Sequence, residues 1–242
     1  MKVLAFDSTA KVASVAVSEG EKILAAYSID NGLTQSELLL PMAENILKSL
    51  GLDFDDIDIF AASVGPGSFT GVRIGVSLVK GLAFSKSKPC VAVSTLEGLA
   101  ENIAPLDALL VPVMDARRSQ VYTALFTSRG ERAVRICEDM AISISELAKM
   151  LSEYGDRKIY LSGDGYSVVK PKLLELGINV ESTPDILINE NAASVARLAY
   201  RKYLSGEYTT DTEISPSYLR LPQAERERLM REEKTDEEKK IK

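Results

Sequence analysis

The sequence predicts an α/β protein in which one order of elements is built twice. Three observations carry this. Apolar residues alternate in strand-length runs that give way to runs of three- and four-residue spacing, the signature of strands interleaved with helices. The order strand, strand, strand, helix, strand, helix, strand, helix occurs over residues 2–103 and again over 109–204. Two local matches fall at corresponding places: a first strand ending in aspartate before a polar turn and a second strand (FD-STAKVA-SVAV and MD-ARRS-QVYTALF), and a fourth strand ending in a glycine turn that opens a helix (SVGPGSF and LSGDGYS). A period of about a hundred residues implies two like-folded lobes and not a solenoid.

The elements follow in order. Residues 2–7 read as a short buried strand, and 13–18 and 22–29 as two more, with Glu19-Gly20-Glu21 as the hairpin turn between them. Leu39, Met42, Ala43, Ile46, Leu47 and Leu50 recur at helical spacing and Gly51 stops the run, which predicts a helix over 35–50. A strand at 57–64, a helix at 67–85, a strand at 89–93 and a helix at 95–103 complete the first half. After Pro105 the pattern restarts with a strand at 109–114 ending in Asp115, then strands at 119–126 and 132–138 and a helix at 143–153. A strand at 158–162, a helix at 166–176, a short strand near 178–181 and a helix at 190–204 follow. Three meandering strands joined to crossover helices make a mixed sheet with helices on its faces. Two such βββαβαβα lobes, 1–105 and 106–223, describe the duplicated actin-like, ribonuclease-H-like ATPase architecture. The tail at 224–242 carries seven acids and seven bases, with only Leu229, Met230 and Ile241 to form an apolar stripe, and reads as a solvated or fraying helix.

Composition narrows the chemistry. Hydrophobic residues make up 45% of the 242 and charged residues 26%, enough for a packed core. Acids outnumber bases 35 to 29, so a general nucleic-acid grip built on net positive charge is not expected, although a local basic patch is open to the chain. There is no histidine. That removes Ser-His and Cys-His catalytic pairs, histidine-ligated zinc and a histidine general base. Cys90 and Cys137 are too few for a disulfide framework or a four-ligand metal site, and Cys90 in its apolar run reads as a buried, inert thiol. No segment approaches the roughly 20 apolar residues of a membrane span, and the N-terminus meets charge too soon for a secretory core. The expected protein is soluble and cytoplasmic.

The segment Gly65-Pro66-Gly67-Ser68-Phe69-Thr70-Gly71-Val72-Arg73-Ile74-Gly75 is the most informative. Glycines at a strand end before a helix suit an anion, but the lysine and spacing of a P-loop are missing. Gly67, Gly71 and Gly75 also line one helix face, where each costs about 1 kcal/mol of helix propensity against alanine. Close approach of another element, from this chain or a second one, is the stronger reading. Asp7 and Asp115 stand where an actin-like ATPase holds magnesium and phosphate between its lobes. Their turns contain no glycine, so side chains would crowd a nucleotide, and both aspartates read as turn caps. Gly163-Asp164-Gly165 retains an adenosine-like turn; Gly163 and Gly165 complete a vestigial nucleotide cleft with the two aspartates.

The stretches SVGPGSFTGVRIGVSLVKGLA (63–83), DSTAKVASVAV (7–17), QSELLLP (35–41), VSTLEGLA (93–100), MDARRSQVY (114–122) and PSYLR (216–220) together resemble the TsaB (YeaZ) family, in order and from residue 1 to about 220. The resemblance implies a partner subunit in making N6-threonylcarbamoyladenosine at position 37 of tRNAs that read codons starting with A. It implies a heterodimer with a TsaD-type catalytic subunit, a TsaE-type ATPase in the same complex, a homodimer when alone, and tRNA contact only through the complex. The catalytic relative carries V-N-H-L-E-G-H, whose histidines fall here at Thr95 and Leu99, neither of which replaces a metal-binding histidine. The family's frequent histidine at Gln35 is also absent.

No catalytic residue, cofactor or metal is therefore expected of this chain. The resemblance assigns the subunit interface to the helices at 35–50 and 67–85, with Leu39, Met42, Ala43, Ile46, Gly71, Val72, Gly75 and Val79 as the expected contact residues. Spacing cannot sort those that face the chain's own sheet. A stand-alone transferase or kinase using ATP and magnesium at Asp7 and Asp115 is the alternative. A metallopeptidase is disfavoured by the zero histidine count.

Overall fold

The computed structural model describes residues 1–117 and 119–220; Arg118, residues 221–223 and the charged tail at 224–242 lie outside the described residues. The first sheet joins β1 (Lys2–Asp7), β2 (Ala13–Glu19) and β3 (Lys22–Ile29) as an antiparallel meander. Two parallel strands, β4 (Ile59–Ser63) and β5 (Cys90–Val93), extend it in the order β3-β2-β1-β4-β5. Both faces of β1 are covered, which is why it reads as an unbroken apolar run. Leu4 and Phe6 point into a core with α1 (Gln35–Leu50) and α2 (Phe69–Lys86). Val3 and Ala5 point the other way, onto α6 (Ala192–Leu204).

The second sheet is built around β6 (Leu109–Asp115), which pairs in parallel with β11 (Ile159–Ser162). On its other side lie β7 (Gln120–Thr123) and β8 (Phe126–Arg129), each pairing with part of β6. The strand expected at 119–126 is thus one line broken at Ala124–Leu125. The next line breaks in the same place: β9 (Arg132–Arg135) pairs with β8 and β10 (Met140–Ser143) with β7. The break lets the sheet bend, and Leu125 N–H is satisfied by the Cys137 sulfur at 3.1 Å. The short strand expected near 178–181 does not form. Glu181 N–H still bonds Ile159 O at 2.9 Å, so extended chain stands where the fifth strand would be. The helices α4 (Ile144–Ser152) and α5 (Tyr166–Glu175) pack on Leu109, Val111 and Val113, while α3 (Thr95–Ile103) covers Leu110 and Met114 on the opposite face.

Each half therefore lends a helix to the other: α3 serves the second sheet and α6 the first. A boundary at residue 105 follows the chain but cuts through both cores. The crossovers are pinned by Asn102, whose side chain donates to Asn189 O at 2.8 Å and accepts from Ser194 Oγ at 2.6 Å. Away from the cleft, Arg201 on α6 bonds Glu21 at 2.6 Å and the buried Glu101 at 2.7 Å, and Glu21 also meets Arg132 of the second lobe at 2.8 Å. The two sheets are held as one body by packing and by these ion pairs. No helix among the described residues is long and apolar enough to cross a membrane.

Candidate functional site

The glycine ridge of α2 faces inward. A Cβ on Gly71 would lie 2.0 Å from Ser8 O, one on Gly75 2.6 Å from Ser8 Oγ, and one on Gly67 2.4 Å from Thr9 O. The absent side chains let the first turns of α2 press on the β1–β2 turn, where Ser8 Oγ donates to Gly71 O at 2.8 Å. Ser68 N–H is taken by Thr9 O at 2.7 Å and Gly71 N–H by Ser68 Oγ at 3.2 Å, so two of the donors a phosphate would need are already used. The same geometry buries the eight expected contact residues. Leu39, Met42, Ala43, Ile46, Val72 and Val79 are at most 5% exposed and Gly71 and Gly75 are buried, all beneath their own sheet. The physical reason is periodicity: the apolar rows of α1 and α2, and the glycine row of α2 with them, are the rows that face the first sheet and its β1–β2 turn.

The outward rows of the same helices leave a groove of about 530 Å³. Ser36 and Leu40 of α1 face Phe69, Arg73, Ile74, Ser77 and Leu78 of α2 across it, with the edge of Leu39 in its floor. Leu40 is exposed, while Ile74 and Leu78 are half-buried at the rim of the core. Gln35 closes one end, its amide donating to Ala10 O at 2.8 Å in the β1–β2 turn, so the position that lacks a histidine still makes a turn contact.

A second cavity of about 620 Å³ lies between the lobes and shares Gln35, Phe69 and Thr70 with the groove. Lys11, Arg117 and Arg220 line it, as do Asp115 and Asp164. Asp7 does not. It is 2% exposed, and its carboxylate accepts from Thr9 N–H at 3.0 Å, Thr9 Oγ1 at 2.7 Å and Ser63 Oγ at 2.5 Å. Burial raises its pKa, and these bonds oppose the rise. Asp115 is exposed and accepts from Arg117 N–H at 2.7 Å. Gly163 and Gly165 sit against β6, where a Cβ would lie 2.3 and 2.9 Å from Val113 O. Asp115, Gly163 and Gly165 meet at the end of β6, while Asp7 is held within the first lobe by Thr9 and Ser63. Thr95 and Leu99 are core: both are buried, and Leu99 Cδ1 would be 3.1 Å from a Cβ on Gly163. No cluster of three potential metal-binding His, Cys, Asp or Glu occurs among the described residues.

Two features escaped the sequence reading. Residues 214–220 form a strap along the mouth of the cleft. Ile214 is buried in the first core, Ser217 N–H bonds Val64 O at 2.7 Å, and the Tyr218 ring stacks on Phe69 at 5.0 Å. Arg73 lies 3.8 Å over the Phe69 ring and donates from Nε to Tyr218 Oη at 2.8 Å. The PSYLR motif marked the strap as a segment but not its course. The other is Glu190, 3% exposed with neither carboxyl oxygen hydrogen-bonded among the described residues. Burial first, then the neighbouring Asp7 and Asp164, pushes its pKa up to about 8. Nothing in its sequence context signals this.

The family model for TsaD, tRNA N6-adenosine threonylcarbamoyltransferase, matches residues 34–228. The tRNA threonylcarbamoyladenosine biosynthesis protein TsaB of Bacillus subtilis is 31% identical over 226 residues, covering 93% of this chain and 96% of that protein. The protein of the same name from Haemophilus influenzae is 29% identical over 231 residues, covering 91% and 94%. The tRNA N6-adenosine threonylcarbamoyltransferase of Kosmotoga olearia is 32% identical over 155 residues, 57% of this chain but 44% of that longer protein. The solved structure of YeaZ from Pseudomonas aeruginosa shares the fold, with a TM-score of 0.75 at 23% identity over 90% of this chain and 99% of that one.

Proposed function

This chain belongs to the TsaB family, and from that membership we propose that it is the non-catalytic subunit that docks and activates a TsaD-type catalytic subunit. It takes part in tRNA threonylcarbamoyladenosine biosynthesis. The product is N6-threonylcarbamoyladenosine at position 37 of tRNAs that read A-starting codons. The observation that carries the docking role is the outward α1–α2 groove, whose walls are apolar at Leu40, Ile74 and Leu78. The TsaD family model runs across both helices, which supports a like pair of helices on a TsaD-type protein. Groove against groove buries two like surfaces about a pseudo-two-fold axis, the arrangement that also supports a homodimer when the partner is absent. Chemistry by this chain alone finds little support, since both Asp7 oxygens are engaged and no histidine exists.

The test is a reconstitution with the TsaD-type protein, tRNA, ATP and the threonylcarbamoyl donor, reading the modified nucleoside by mass spectrometry. Leaving this chain out, or supplying Ile74→Glu, is expected to remove the product, while the Tm of that variant stays within a few degrees of the parent. An undiminished yield without this chain sinks the reading.

A further inference from the structure

We infer that Arg73 is the polar anchor of the α1–α2 groove: it receives a carboxylate from the docked TsaD-type subunit, and Tyr218 is the residue that positions it. This rests on the docking role proposed above and names the chemistry the groove selects. The groove is lined by apolar and small polar side chains, and Arg73 is the one charged residue in its wall. Its side chain is held on two sides. The Phe69 ring lies 3.8 Å beneath the guanidinium, and Nε donates to Tyr218 Oη at 2.8 Å. Tyr218 is held in turn by its stack on Phe69, at 5.0 Å and 28°. Among the described residues both Nη groups lack a hydrogen-bond partner and no carboxylate pairs with the arginine.

An arginine stacked on a ring and tethered at Nε has given up most of its rotamer freedom before any ligand arrives. Its remaining donors form a planar fork suited to two oxygens of one carboxylate. A lysine in this place would have neither the stack nor the fork. The apolar rows on either side, Leu40 and Ile74, exclude water from the pair once a helix lies in the groove, which strengthens it. An uncharged partner helix would instead bury the guanidinium unpaired, at a penalty that discriminates against it. The anchor depends on a segment more than a hundred and forty positions away in sequence (|i−j| = 145), because the strap delivers Tyr218 to the first turn of α2. Docking is thereby made conditional on the chain being folded through residue 218.

The experiment measures affinity of the full chain for its TsaD-type protein at about 50 and 500 mM salt, with Arg73→Gln, Tyr218→Ala, Tyr218→Phe and the double variant Arg73→Gln/Tyr218→Ala. Arg73→Gln is expected to weaken binding about 10- to 100-fold at low salt and to flatten the salt dependence. Tyr218→Ala should lose about tenfold, and Tyr218→Phe, which keeps the stack but not the hydroxyl, should recover part of that. In the Arg73→Gln background the tyrosine change should add little, since it acts through the arginine. Circular dichroism should show all variants folded. Parental affinity and salt slope in Arg73→Gln overturn the inference, and full additivity in the double variant overturns the positioning role. A parental chain that does not bind the TsaD-type protein sinks the docking role itself, and is read before any variant.

Discussion

The two halves carry the same device, a strand that ends in aspartate and turns beneath a glycine-bearing helix start, and they have closed it to different degrees. In the first half Asp7 is sealed and its carboxylate accepts three hydrogen bonds. Gly67, Gly71 and Gly75 bring α2 onto that turn at distances no side chain tolerates. In the second half Asp115 is exposed, and the glycines are confined to the turn before α5. The difference teaches that the first turn has become packing material. With the inner face of α2 committed to its own sheet, only the outer face is left to meet another molecule.

The contrast can be tested by substitutions on either side of it. Gly75→Leu places a side chain where Ser8 Oγ already lies and should destabilise by about 1–3 kcal/mol, lowering the melt and the folded fraction. Gly81→Leu on the same helix meets nothing within 4 Å of its Cβ and should keep a near-parental melt. Partner loss in Gly75→Leu is thus expected through unfolding, not through a missing contact. Asp7→Ala strands Ser63 and the Thr9 donors and should cost about 1–3 kcal/mol in urea denaturation. Asp115→Ala should change stability by about 0.5 kcal/mol or less. An equal cost at the two aspartates would erase the distinction between the halves.

Glu190 supplies a pH test. Burial pushes its carboxyl pKa up to about 8 in the folded chain, against an ordinary value of 4.5. Between those values the folded state holds a proton that the unfolded chain has released, so stability falls as pH rises from about 4.5 towards 8. Asp7 is raised as well, by burial first, and adds slope in the same direction. Glu190→Gln removes the Glu190 part: its Tm should exceed the parent's by about 5 °C or more at pH 8, with no gain at pH 4. A constant offset across pH would mean that Glu190 does not hold a proton.

Much of this was legible in the chain. The helix over 35–50 follows from Leu39, Met42, Ala43, Ile46 and Leu47 with Gly51 as its stop, and it forms over Gln35–Leu50. The break at Ala124–Leu125 was not legible, because the run from Ser119 to Phe126 keeps the composition of a strand, and the kink comes from β6 changing neighbours. The proposed docking groove lies one row away from the residues that apolar spacing picks out. Apolar spacing finds the buried stripe of a helix, and an exposed groove beside it carries a weaker pattern of mixed polarity, here Ser36, Leu40, Arg73, Ile74 and Ser77. The strap and the Glu190 environment left no periodic trace, since each depends on contacts between segments far apart in sequence.

Local chemistry set which segments become strands and helices, and a zero count of histidine removed whole classes of reaction before any fold was known. Both follow from short-range preferences and from composition, which need no partner to be read. Which side of α2 is inside, which helix covers which sheet, and how Tyr218 comes to hold Arg73 arose only when the halves packed together. Those outcomes depend on excluded volume and burial between distant segments, and the chain does not spell them at any one place.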